Sequence, residues 1–194
     1  MTRILFLESL IASKPELAAV VGAERFLAEI KTTASLQHPH ILPLYDSGEA
    51  DSFLFYVMPY VEGETLRERV DREGELPIQQ AVRILRDLVD ALGYAHSHEV
   101  VHRDVKPGNI MLSGRHASVM DFGVAKAVGE SKNPGGETTV GVALGTPTYM
   151  APEQAAAEPN VDQRADIYAV GVVGYEILTG RPPFSARSTT GILA

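Results

Sequence analysis

The apolar positions change their period several times along the chain. In residues 15–36, Phe26, Leu27 and Ile30 recur at helical spacing and Pro15 suits a first helical turn. This predicts a helix that ends before His38-Pro39, because the residue preceding a proline is pushed out of the α region. Residues 41–45 (ILPLY) and 53–58 (FLFYVM) are apolar and aromatic runs on either side of the turn-rich DSGEADS, which predicts a β-hairpin. From Pro77 the period returns to that of a helix. Ala81, Ile84, Leu85, Leu88, Leu92 and Ala95 form one stripe of a long amphipathic element. Residues 100–123 are short apolar pieces broken by polar clusters, and residues 129–147 (GESKNPGGETTVGVALGTP) read as one long mobile loop. A last helix is expected from about Asp162 to Leu178. It is apolar nearly all round and therefore needs cover on every side.

Composition narrows the class. The chain has 194 residues, enough for one domain with a sizeable core, and its 45% hydrophobic and 22% charged residues exclude a disordered tail, a collagen-like fibre and a coiled coil. Seventeen Lys and Arg against 25 Asp and Glu give a net charge of −8, which disfavours binding to nucleic acid or anionic membrane by bulk charge. With no cysteine there is no disulfide, thiolate metal site or cysteine nucleophile, and a reducing, cytoplasmic setting fits. The most apolar run, Ile167 to Leu178, contains Glu176 and is too short to span a bilayer. The apolar N-terminus is interrupted by Glu8, so it is expected to be an ordinary strand or helix of the domain rather than a signal peptide.

Two polar clusters carry candidate chemistry. The first is His102-Arg103-Asp104-Val105-Lys106-Pro107-Gly108-Asn109, and the second is Asp121-Phe122-Gly123. Asp104 offers a carboxylate that can accept a hydroxyl proton, and Lys106 a cation that can steady developing negative charge. Asn109 and Asp121 offer hard oxygens of the kind Mg²⁺ takes beside substrate phosphates. Together these groups read as a phosphoryl-transfer site, where positioning and charge neutralisation do most of the catalysis. Other polar residues have plainer readings. His38 and His40 are expected to pack in a turn. His96, His98, His102 and His116 show no zinc-ligand spacing, and His102 is expected to be a packed residue shaping the loop. Glu62, Glu64, Glu68 and Glu73 among Arg67, Arg69 and Arg72 read as a solvated, ion-paired helix face, with Glu64 a weak candidate for a ribose contact.

HRDVKPGN, DFG and, after the long loop, GTPTYMAPE (Gly145 to Glu153) resemble the catalytic loop, metal-binding loop and activation-segment end of eukaryotic-like serine/threonine protein kinases, closest in wording to bacterial members. The order and the spacing, 17 residues from Asp104 to Asp121 and 32 from Asp121 to Glu153, also match. The resemblance covers about residues 15 to 184. It implies ATP and Mg²⁺ as cofactors and Ser/Thr hydroxyls of proteins as substrates. Asp104 resembles the catalytic base, Lys106 the lysine near the γ-phosphate, and Asn109 and Asp121 the metal ligands. Met58 resembles the gatekeeper, Pro59, Tyr60 and Val61 the hinge that meets adenine, and Met111 the residue beneath the adenine ring. Glu29 resembles the glutamate of the regulatory helix, αC in the family's lettering. His102, Phe122, Gly123, Thr146, Glu153 and Asp166 resemble structural positions, Asp166 being the aspartate of helix αF that anchors the catalytic loop. Arg103 implies control through the activation loop, with Thr138 and Thr139 as candidate phosphorylation sites.

The expected fold is α+β, a two-lobe protein-kinase-like fold incomplete at both ends. Residues 1–60 would be a partial small lobe, with αC and the hairpin of the family's fourth and fifth strands. Residues 61–194 would be a partial, mostly helical large lobe ending after αF. The first glycine is Gly22, so the family's Gly-rich phosphate loop has no counterpart before it. Alignment on KPELAA puts Ile11 where the family has its phosphate-binding lysine, with Lys14 three residues on, so Glu29 is expected to lack its partner. These departures support an alternative, a catalytically impaired pseudokinase or a fragment acting as a protein-interaction module. The exposed αF side would then be a surface for a homodimer or another partner.

Overall fold

The computed structural model describes residues 4–6, 34–50, 53–122, 147–156 and 158–184. Two small antiparallel sheets and a helical body make up an α+β protein. In the first sheet the order is β1 (Ile4–Phe6), β3 (Phe53–Pro59), β2 (Asp46–Ala50). Leu5 lies opposite Met58 on one side of β3, and Gly48 opposite Phe55 on the other. The N-terminal apolar run is thus a strand. The hairpin is present, but its first strand is the polar DSGEA and not ILPLY. Pro43 has no N–H to give a ladder. Ile41 is buried and forms a parallel bridge with Val119, with Leu42 N donating to Val119 O (2.8 Å) and Val119 N to His40 O (2.8 Å). The β2–β3 ladder begins only where Tyr45 N reaches Val57 O at 2.8 Å.

The second sheet joins β4 (Glu64–Thr65), β5 (Ile110–Ser113) and β6 (His116–Val119) in that order. β4 lies so close to β5 that a Cβ on Gly63 would stand 2.0 Å from Leu112 O. Helix α1 (Leu66–Glu73) starts at once, because Thr65 and Glu68 form a reciprocal capping box. Thr65 N donates to Glu68 Oε2 (2.7 Å) and Glu68 N to Thr65 Oγ1 (3.2 Å).

Helix α2 (Ile78–Ser97) follows Pro77 and buries Ala81, Ile84, Leu88, Leu92 and Ala95 of the expected stripe, together with Ala91, while Leu85 is partly buried against the same core. It packs against β6 and against α4 (Arg164–Thr179), which follows the short helix α3 (Pro152–Ala155). One continuous core runs from Leu36 and Ile41 through Leu66, Leu88 and Ile110 to Val173 and Ile177. Ile167, Tyr175 and Leu178 of α4 are exposed, while Ala169, Val172, Val173 and Ile177 face the core. Residues 15–33, expected as a helix, and 129–146, expected as a loop, lie outside the described residues.

Candidate active site

The segment from His102 to Asn109 has almost no regular structure, so its shape depends on side chains. Asp166, in the first turn of α4, is buried and holds it from below. Its Oδ2 accepts from His102 N (2.9 Å) and from His96 Nε2 (2.7 Å), and its Oδ1 accepts from Arg103 N (2.8 Å). Arg103 sits at φ 67°, a left-handed conformation uncommon for a residue with a side chain. Such strain persists only when the surroundings over-determine it. Here three donors converge on one carboxylate, Gln154 Nε2 donates to Arg103 O (2.8 Å), and Arg103 Nη2 donates to Val161 O (3.3 Å).

His102 is fully buried and acts as a brace. Its Nε2 faces Met120 O at 3.0 Å and must donate to it, so Nδ1 accepts from Asp104 N at 3.2 Å. The ring packs against Phe122 at 4.5 Å. One histidine therefore ties the backbone of Asp104 to the chain just before Asp121, which also has a positive φ, 66°.

Beyond the brace the polar groups converge. Lys106 Nζ lies 2.6 Å from Asp104 Oδ2. Asn109, on a 3₁₀ turn (Pro107–Asn109), donates from Nδ2 to Asp104 O (2.9 Å) and Oδ2 (3.1 Å). Both cationic and amide donors thus converge on Oδ2. Because Asn109 spends its Nδ2 on Asp104, its Oδ1 is left as an oxygen donor, a chemistry that fits a hard cation. A small cleft beside Asp104 is lined by Arg103, Val105, Tyr149, Met150 and Gln154.

The other sequence candidates lie elsewhere. Met58 is buried at the end of β3, Tyr60 is exposed and Val61 half-buried in the connection to β4. Met111 is on β5, opposite Thr65 and Ser118. Glu153 is in the first turn of α3. Glu29, Gly123, Thr138, Thr139 and Thr146 lie outside the described residues. Glu64 is engaged by Arg69 (2.5 Å) and Arg72 rather than left open for a sugar, and Arg72 first, then Arg69, draw its carboxyl down to about 2.

Two features escaped the sequence reading. His96, set aside there because it fits no metal spacing, is a third donor to Asp166. Glu176, buried near the far end of α4, accepts from Arg67 Nη1 (2.8 Å) and Tyr149 Oη (2.6 Å). Burial, then the bond to Glu176, push the Tyr149 hydroxyl above its usual range, so it remains a donor. The signal was present: a charged residue inside a helix that is apolar all round must find a partner when buried.

A helical body with two small antiparallel sheets, and a polar loop pinned on a buried aspartate, defines the protein-kinase class of α+β fold. The family described as protein kinase domain matches residues 11–193, and the chain belongs to it. Serine/threonine-protein kinase PknB of Mycobacterium leprae is 44% identical over 173 residues, 87% of this chain and 27% of that protein. PknB of Mycobacterium tuberculosis is 42% identical over the same span. Serine/threonine-protein kinase PrkC of Bacillus subtilis is 40% identical over 169 residues. The chain spans about a quarter of the length of these curated relatives. The family uses ATP, typically with a divalent metal, and acts on proteins. No described helix is long and apolar enough to cross a membrane.

Proposed function

We propose that this chain carries the catalytic centre of an ATP- and Mg²⁺-dependent serine/threonine protein kinase acting in the cytoplasm. In this reading residues 1–60 contribute the small lobe and 61–194 the large lobe. The observation that carries it is the convergence of Lys106 and Asn109 on one oxygen of Asp104, in a loop that Asp166 holds in a strained shape. Asp104 Oδ1 then receives the substrate hydroxyl and orients it, accepting its proton as the phosphoryl group transfers. Lys106 offsets negative charge on that group. Asn109 Oδ1 and Asp121 would hold Mg²⁺, which when bound neutralises the ATP phosphates. Met58, Tyr60, Val61 and Met111 would form the adenine side, and Glu29 would face the phosphates from αC. Phosphate on Thr138 or Thr139 would pair with Arg103, a role that phosphopeptide mapping of active protein tests.

The direct experiment is phosphate incorporation from labelled ATP into a Ser/Thr-containing protein, comparing the chain with Asp104→Asn. Loss of a positioned base should lower the rate about 10²–10⁴-fold. Incorporation unchanged by the substitution would sink the enzyme reading. It would favour the alternative, a pseudokinase that binds a partner or a second copy through the exposed side of α4. Ile11 in place of the family's lysine and the exposure of Ile167, Tyr175 and Leu178 support that alternative. A thermal melt with and without Mg·ATP adds an independent readout, since ligand at 100 times its Kd stabilises by about 2.7 kcal/mol.

A further inference from the structure

Away from the candidate active site, three potential metal ligands from three separate segments meet on one side of the body. His40 precedes the bridge residue Ile41, Asp87 lies on α2, and His116 opens β6. Their donor atoms all lie within 4.8 Å of one another. His40 and Asp87 are mostly covered, with side chains 15% and 13% exposed, while His116 is exposed.

Hydrogen bonding around the trio makes the cluster more than proximity. His40 Nδ1 lies 2.9 Å from Ala117 O and must donate to it. That fixes the ring and turns Nε2 toward Asp87 Oδ1, 3.7 Å away. Asp87 Oδ2 already accepts from Ala117 N at 3.0 Å. In neutral imidazole Nε2 is then an acceptor facing another acceptor, a contact that a cation between or upon them relieves. That cation is a proton on Nε2 or a metal ion. An Nδ1–H donated to a backbone carbonyl, with Nε2 presented outward, is the outer-shell arrangement that orients metal-binding histidines. Two donors on a tetrahedral zinc with bonds of about 2.0–2.1 Å lie roughly 3.3 Å apart. The His40–Asp87 pair is close to that separation. The His116 ring, centred 5.9 Å from that of His40, closes the set by turning its exposed side chain.

We propose that His40, Asp87 and His116 form a Zn²⁺ site, with water in the fourth position. Two imidazoles and one carboxylate suit zinc rather than Mg²⁺ or Ca²⁺, which take oxygen ligands. The ion staples the segment entering the first sheet to helix α2 and to the β5–β6 hairpin. The far end of that hairpin carries Asn109 and Asp121, so the staple stiffens the base beneath the candidate metal ligands of the active site. The sequence hides this set because its members come from a turn, a helix and a strand with no recognisable spacing.

The test uses the full 194-residue chain without an affinity tag. Equilibrium dialysis against Zn²⁺ with elemental analysis should give one ion per chain. Co²⁺ in its place should show the visible absorption of a tetrahedral nitrogen and oxygen site. His116→Ala, at an exposed position, should weaken Zn²⁺ binding by more than about tenfold, with circular dichroism unchanged. His98→Ala, a histidine whose ring lies tilted against Tyr94 outside the set, should leave binding as it was. Asp87→Asn serves as a second ligand variant. No bound zinc overturns the proposal and leaves a plain His40–Asp87 contact. Zinc binding undiminished by both His116→Ala and Asp87→Asn, or lost equally in His98→Ala, also overturns it.

Discussion

The two ends of helix α4 carry buried carboxylates that do different work. Asp166, in the first turn, takes two backbone amides and one imidazole, all from the loop and helix that lead to Asp104. Glu176, in the last turns, takes two side chains, a guanidinium from α1 and a hydroxyl from the 3₁₀ turn Pro147–Tyr149. The first fixes the backbone conformation of one segment. The second joins three segments whose own conformations are ordinary. A carboxylate that holds main chain cannot be replaced by rearranging neighbours, because amides cannot turn away. One that holds Arg67, whose side chain is 35% exposed, leaves its partner a route to water.

Substitutions at the two ends should show this asymmetry. Asp166→Ala strands two amides and His96. At about 1–3 kcal/mol for each unsatisfied buried group, denaturant unfolding should show a loss on the order of 4 kcal/mol, and phosphotransfer should disappear as Arg103 relaxes. Asp166→Asn should lose less, since one oxygen still accepts. A loss equal to that of Glu176→Ala would erase the distinction. Glu176→Ala should cost about 3 kcal/mol, at the low end for breaking a buried pair, and Tyr149→Phe about 1 kcal/mol. Residual phosphotransfer should persist in both. The combined variant should cost less than the two singles together, because they remove a shared bond.

The smallest effect belongs to the surface pair. Arg72 and Arg69 lower the Glu64 carboxyl from 4.5 to about 2. Its contribution to stability is therefore complete above pH 4.5 and is lost as pH falls through about 2. Between those limits the unfolding midpoint of the chain should fall more steeply with acid than that of Glu64→Gln. Parallel curves would mean that the pair adds nothing to folding.

What the sequence made legible follows from the range of each interaction. The stripe of α2 is a local period, and Ala81, Ile84, Leu88, Leu92 and Ala95 are buried as their spacing predicts, with Leu85 partly so. Asp104, Lys106 and Asn109 lie within one short run, so their convergence could be expected from their order. DSGEA gave no strand signal because β2 pairs through its backbone, and its Asp46 side chain is exposed. ILPLY looked like a strand because burial of Ile41 and pairing of a whole segment leave the same apolar mark. The donors of Asp166 and Glu176 lie far away along the chain, 109 residues in the case of Arg67 and Glu176. No window of neighbouring residues reveals such a pair. For Asp166 the family resemblance implied an anchor to the loop; for Glu176 only the need to neutralise a charge inside an apolar helix hints that a partner exists.

Gly63 shows what close backbone packing means for variation. The missing Cβ is occupied by a carbonyl oxygen of the neighbouring strand, which cannot swing aside as a flexible side chain could. The restriction is one of volume alone. Even alanine must part β4 from β5, and the strand that moves is the one that runs out of Asn109. In a library randomised at this codon and selected for folded protein, glycine should be recovered almost alone. At Gly74 a Cβ would meet nothing nearby, and the restriction there is one of backbone instead, since its φ is 73°. The tightest filter on inherited change in this part of the chain therefore falls on a residue with no chemistry of its own.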